Sequence, residues 1–216
     1  MKYLIVLVLI SCNAFSEDLA RDDLYPVGQF STNSLDTWSE KIFDQQTAYS
    51  ITNLEGLLVL KAKSHHSASG LFTEQTVDIK KYPYLNWRWR IESHLSSLDE
   101  TQKQGDDYAA RIYIVVSGGL FFWRTKALNY VWSSRTENGA VWPNAFAPDN
   151  TQMMALRTSK DQLATWYIEK RNIYEDLKQW LGYEVTEINA IAIMTDTDNS
   201  KGQATAFYGD IYFSKK

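Results

Sequence analysis

A single cysteine, Cys12, excludes a disulfide framework, so the fold has to rest on a packed core. Only four prolines and ten glycines occur, and no interior linker, fixed-period repeat or low-complexity segment divides the chain. Clustered lysine and arginine are also missing. With a formal net charge of −4, nothing offers the phosphate-neutralising surface that nucleic acid needs, and no such partner is expected. A glycine-rich phosphate loop is absent, and no Ser, His and Asp constellation can be assigned. His65, His66 and His94 lack metal-ligand spacing and read as exposed loop residues.

No apolar run reaches the roughly 20 residues of a membrane-spanning helix. The run from Tyr3 to Ile10 follows Lys2 and precedes small, polar residues, which is the pattern of a secretory signal. Ala14 and Ser16 suit cleavage after Ser16. Residues 1–16 are then a signal peptide, and 17–216 form a single β-sandwich domain of a secreted, periplasmic protein with no transmembrane helix. The alternative is a lipoprotein signal over 1–11, because Leu9-Ile-Ser-Cys12 resembles a lipobox; the membrane becomes a partner only if Cys12 is lipidated.

What the chain does have is aromatic residues, eight Trp, thirteen Tyr and nine Phe, and apolar positions that recur every second residue. Ten strands are predicted, over 48–52, 57–63, 70–79, 85–92, 108–117, 128–133, 152–158, 165–171, 188–195 and 205–213. Strands in this number, joined by turns, point to an all-β, jelly-roll-like sandwich. One short covering helix interrupts them. Asn172 can cap it, Glu175 can reach back to complete the cap, Gly182 can close it, and Ile173, Leu177, Trp180 and Leu181 form its apolar stripe.

Strand alternation sorts the functional candidates. Trp87, Trp89 and Ile91 share one side of their strand, and Arg88 and Arg90 the other. Asp107, Arg111 and Tyr113 lie opposite an apolar row of Tyr108, Ala110, Ile112, Ile114 and Val116. Tyr167, Glu169 and Arg171 align, as do Met194, Asp196 and Asp198. One sheet face carrying all four polar sets would be either a closed lattice of ion pairs or a polar cleft. As a cleft, its arginine forks and carboxylates would suit a carbohydrate or other polar small ligand, with Tyr130 and Trp132 as stacking rings. The candidate ligand-binding residues are therefore Arg88, Arg90, Asp107, Arg111, Tyr130, Trp132, Glu169, Arg171, Asp196 and Asp198.

No cofactor or metal is expected. An irregular calcium site on Asp196, Asp198 and Asn199 is the one alternative, since the helix-flanked calcium loop fails with Lys201 where its glycine belongs and Phe207 where its glutamate belongs. Catalysis is left open. Asp106 and Asp107 diverge in an extended segment, whereas Asp196 and Asp198 face one way about 6.6 Å apart, a separation compatible with glycan hydrolysis. A non-catalytic binding domain is the preferred reading, a glycan-active hydrolase or lyase the second, and a structural or interaction lipoprotein the third. Gly118 to Trp123 would be the contact patch of that third reading, although burial under the sandwich is expected for it.

Seven segments in order resemble the bacterial domain of unknown function 3047 family: Ser67-Ala-Ser-Gly-Leu71, Tyr82-Pro-Tyr-Leu-Asn-Trp-Arg-Trp-Arg90, Gly105-Asp-Asp-Tyr-Ala-Ala-Arg111, Asn129-Tyr-Val-Trp132, Arg171-Asn-Ile-Tyr-Glu-Asp176, Met194-Thr-Asp-Thr-Asp-Asn199 and Tyr208-Gly-Asp-Ile211. The resemblance spans nearly the whole mature chain, implies an exported bacterial domain and brings no activity with it. The closing Tyr208-Gly-Asp-Ile-Tyr-Phe213 also looks like the last strand of jelly-roll modules of the galactose-binding type, a likeness of fold alone.

Overall fold

A computed structural model of the protein describes residues 21–135 and 137–216. The signal segment and Cys12 lie outside the described residues. The strands are β1 (Leu24–Gly28), β2 (Ser39–Asp44), β3 (Ala48–Leu54), β4 (Leu57–His65), β5 (Ala68–Asp78), β6 (Tyr84–Ile91), β7 (Ala110–Val116), β8 (Lys126–Trp132), β9 (Val141–Pro143), β10 (Thr151–Arg157) and β11 (Tyr167–Asn172). Helix α1 (Ile173–Leu181) follows, then β12 (Glu187–Met194), β13 (Gln203–Tyr208) and β14 (Ile211–Ser214). Each predicted strand has a counterpart; β1, β2 and β9 are additional.

Two sheets form the sandwich. Sheet A runs β1-β14-β6-β13-β4-β3, with β11 on the other edge of β6, and sheet B runs β2-β5-β12-β7-β8-β10-β9. Every pairing is antiparallel except β8 with β10. The predicted strand over 205–213 breaks in two at Gly209-Asp210. There the Arg88 side chain packs so closely over Gly209 that a Cβ would stand 2.4 Å from Nε, and the Gly209 N–H donates to the Arg88 carbonyl at 2.9 Å.

Aromatic rings bridge the two sheets. Trp87 and Trp89 of sheet A point inward as alternation predicts, Trp87 stacking on Tyr130 at 5.5 Å and Trp89 lying 5.9 Å from Trp132. Ile112, Ile114, Ile191 and Ile193 of sheet B complete the layer with Leu60, Ala62 and Phe213 of sheet A. Tyr108 departs from the expected row. It precedes β7, where the strand pleat has not begun, and packs with Val131, Trp142 and Met153 in a smaller cluster apart from the main core.

Helix α1 has the predicted Asn172 cap and Gly182 closure. Asn172 Oδ1 accepts from the Glu175 N–H at 3.1 Å, and Gly182 takes the left-handed φ of 76°. Ile173 and Leu177 are fully buried, so the helix seals the sandwich beside β11. The 118–123 segment corrects the sequence reading. Leu120 is 96% exposed and Phe121 and Trp123 are exposed as well, because the chain leaves sheet B at Val116 and turns outside both layers before β8 begins. Among the described residues no helix is long and apolar enough to cross a membrane.

Candidate functional site

The ten candidate side chains do not share one surface. Alternation tells the inside of a strand from its outside, but β6 and β7 belong to different sheets, and their outer faces lie on opposite sides of the sandwich. Arg88 and Arg90 are on the outer face of sheet A. Arg88 lies over the Trp166 ring at 4.7 Å, and Arg90 donates to Glu55 at 2.7 Å and Glu92 at 2.9 Å. Tyr130 and Trp132 are core residues, 0% and 1% exposed, and cannot offer their faces to a ligand. Tyr130 donates its hydroxyl to Asp176, and Trp132 its ring N–H to the Thr158 carbonyl.

Glu169 and Arg171 sit at the sandwich edge near α1. Glu169 accepts from Trp89 Nε1 at 3.0 Å and Arg157 Nε at 2.6 Å, while Arg171 clasps Asp176 through two nitrogens. These pairs are closed. Asp107, Arg111, Asp196 and Asp198 remain, and the structure brings them together on the outer side of sheet B.

There a cavity of about 450 Å³ opens over β7, β8 and β12. Its polar floor is made by Arg111, Asn129, Asn144, Asp106 and Asp196, and its flanks carry the Phe43 and Phe146 rings, 66% and 54% exposed. Tyr113, Met194 and Phe43 are shared with an apolar extension of 350 Å³ floored by Gly70, Ala190 and Ala192. These small side chains leave the sheet surface open between larger neighbours.

The loop after β12 is fixed from beneath. Thr195 and Thr197 alternate inward into a buried hydroxyl network: Thr195 donates to the Ala109 carbonyl at 3.0 Å, and Thr197 Oγ1 lies 2.7 Å from Ser64 Oγ. Their backbone neighbours are tied as well, Asp196 N–H to the Tyr108 carbonyl and Thr197 N–H to the Ser67 carbonyl. Asp196 and Asp198 are thereby turned outward to the cavity. Asp107 accepts from the N–H groups of Asn199 and Ser200 and from the Asn199 amide, which locks the loop tip. Asn144 does the same for the opposite wall. Its carbonyl oxygen accepts from the Phe146 and Ala147 N–H groups at 3.0 Å each, and its amide donates to Asp106.

Arg111 is the electrostatic centre. Nη2 donates to Asp196 Oδ2 at 2.7 Å, Nη1 lies 4.0 Å from Asp106, and the Tyr108 and Tyr113 rings sit 5.1 and 5.2 Å from the guanidinium carbon. Burial pulls its pKa down, but Asp196, Tyr113 and Asp106 outweigh that effect and raise it. Burial raises the Asp196 carboxyl well above the usual range; Arg111 opposes it, and Asp107, Asp106 and Asp198 add to it. Asp106 and Asp198 are raised for the same first reason, with Asp107 adding to both. Three residues that line this cavity each carry a buried polar atom with no hydrogen-bond partner within the described protein: Arg111 Nε, Asn129 Oδ1 and Asp196 Oδ1. Buried polar groups are nearly always paired, so unmet capacity on neighbouring residues of one cavity singles it out as the candidate site.

Sequence reasoning missed Phe43, Asn129, Asn144 and Phe146. Asn129 was legible, since Leu128, Tyr130 and Trp132 alternate with it and the rings take the inner side. Phe43 and Phe146 lie on an edge strand and a loop where no pattern points to the cavity.

Solved structures similar to this one include a cellulose-induced protein, with a TM-score of 0.50 at 11% identity over 88% of this chain and 97% of that one. A family 11 carbohydrate-binding module from Clostridium thermocellum, in complex with a mixed-linked tetrasaccharide, gives a TM-score of 0.47 at 9% identity over 89% and 95% of the two chains. A cellulase derived from that of Rhodothermus marinus gives 0.49 at 12% identity over 88% and 94%. At these identities the likeness concerns the fold. No curated protein matches the chain. The model of a family described as a protein of unknown function, DUF3047, matches residues 36–212, and the chain belongs to that family.

Proposed function

We propose that this chain is a non-catalytic binding domain that holds a carbohydrate in the groove on the outer face of sheet B. The observation that carries the reading is the pairing of exposed Phe43 and Phe146 rings with a floor of unsatisfied donors and acceptors. Sugars present both apolar C–H faces and many hydroxyls that can donate and accept, which matches exposed rings beside a floor of amide, guanidinium and carboxyl groups. Four carboxylates around a single arginine disfavour an anionic ligand, which separates this groove from a phosphate or carboxylate site.

Screening a glycan array and then titrating a bound oligosaccharide by calorimetry tests the reading. Phe43→Ala and Phe146→Ala should each weaken binding about tenfold. Because both rings are exposed, stability should stay within about 0.5 kcal/mol. An array without hits, or a bound glycan indifferent to both substitutions, counts against it.

The same reading places the protein in the envelope after export, on the strength of the apolar run from Tyr3 to Ile10. Intact mass of the protein recovered from a secreting bacterial host should correspond to a chain starting at Glu17. A mass that includes residues 1–16 contradicts export, and a lipid-modified Cys12 favours the lipoprotein reading instead.

A further inference from the structure

One carboxylate oxygen of each of Asp107, Asp196 and Asp198 lies within 4.8 Å of those of the other two. Two oxygens sharing one calcium ion at about 2.3–2.6 Å can stand no more than about 5.2 Å apart, so this spacing fits. A cluster of acids alone is common on protein surfaces, but this one is mostly inside. Asp107 is 0% and Asp196 1% exposed.

Two further atoms point the same way. Asp196 gives Oδ2 to Arg111, and its other oxygen, Oδ1, is buried with no partner within the described protein. Ser200, whose N–H is bound to Asp107, has a buried Oγ that is likewise without a partner. Asp107 accepts three hydrogen bonds, which leaves one of its roughly four acceptor sites unused. Charge supplies the driving force. Asp106, Asp107, Asp196 and Asp198 cluster here, and among the described residues Arg111 is the only cation paired with any of them. Buried carboxylates in excess of their counter-ions are expensive unless protons or a cation neutralise them.

We propose that Asp107, Asp196 and Asp198 bind a calcium ion at the polar end of the groove. Hard cations prefer such all-oxygen sets, and the half-exposed Asp198 gives the ion a way in from solvent. The inference does not depend on the groove's ligand, so calcium binding and glycan binding succeed or fail separately.

The test is calorimetric titration of chelator-treated protein with calcium chloride, alongside melting curves in calcium and in chelator. Expected are one saturable site with a dissociation constant below about 1 mM and a melting temperature raised by several degrees. Asp198→Asn should weaken binding at least tenfold while melting in chelator no lower than the parent, since the half-exposed carboxyl is replaced by its neutral isostere. Asp149→Asn, an exposed carboxyl outside both the cluster and the cavity, should bind as the parent does. Absence of heat and of any melting shift at 10 mM calcium overturns the proposal. So does binding that Asp198→Asn leaves intact, or magnesium binding as tight as calcium, because the smaller ion demands a tighter octahedral set.

Discussion

Replacing Arg111 by leucine is expected to cost about 3–5 kcal/mol of unfolding free energy at neutral pH. The guanidinium is 4% exposed, holds Asp196 at 2.7 Å, lies near Asp106 and fills the space between the Tyr108 and Tyr113 rings. Leucine retains part of the packing and none of the charge, so two buried carboxyls lose the one cation paired with them among the described residues. Urea denaturation reads this as a lower midpoint at an unchanged slope.

The pH dependence distinguishes a charge effect from lost packing. Burial already raises the folded-state pKa of Asp196 and Asp106, so their stabilising contribution is fully present below the ordinary carboxylate range near about 4 and is lost as pH rises through the raised values. Without Arg111 both shift further upward. The deficit of Arg111→Leu should therefore shrink as pH falls and protons take the place of the lost cation, and be largest at alkaline pH. A deficit equal at pH 5 and pH 8 would assign the loss to packing instead.

Trp89→Ala carries the other large effect, about 3–5 kcal/mol. Trp89 is 0% exposed, meets Trp87 edge-on at 5.5 Å and faces Trp132 across the sheets, and its ring N–H donates to Glu169. Truncation opens a cavity between the layers and leaves Glu169 one donor fewer. Ile168, opposite Arg88 on the outer face of β11 and 79% exposed, is the matched control. Ile168→Ala should alter stability by no more than about 0.5 kcal/mol. Comparable losses at the two positions would mean that the in-and-out assignment of β6 and β11 is wrong.

How far the sequence could be read follows from what alternation encodes. A period of two fixes which side chains of a strand face the core, and it placed Trp87 and Trp89 inside and Arg88, Arg90 and Arg111 outside. It carries no record of which sheet a strand joins. Arg88 and Arg111 were expected on one face, but strand pairing puts β6 between β13, β14 and β11, and β7 between β12 and β8. Apart from the β7-β8 hairpin, those pairings are long-range and depend on packing that no local window contains. Parity also lapses where regular strand ends. Asp106 and Asp107, just before β7, serve different partners, Asn144 on one wall and the Asn199-Ser200 backbone on the other.

The Met194-Thr-Asp-Thr-Asp-Asn199 segment was the most legible part of the site. Its alternation continues past the end of β12, sending threonine hydroxyls inward and aspartates to the cavity. The calcium alternative included Asn199, whose amide N–H groups donate to Asp107 and tie that residue to the loop. Asp107 is the third carboxylate, 89 positions before Asp196 and invisible to any loop motif. His65 and His66 show the same limit at smaller scale. Extended backbone would point them apart, yet His66 adopts a φ of 54° and the two rings stack at 4.1 Å.

That sheet B's outer face is the binding surface is tested most directly by methyl-resolved NMR during titration with an oligosaccharide selected on the array. Met194 lies in the groove wall, whereas Leu57 and Ile168 border a separate hollow on the outer face of sheet A. The Met194 methyl signal should shift and saturate with the ligand while Leu57 and Ile168 stay still. Shifts confined to Leu57 and Ile168, with Met194 unmoved at saturation, would place the ligand on the opposite side of the sandwich and contradict the proposed site.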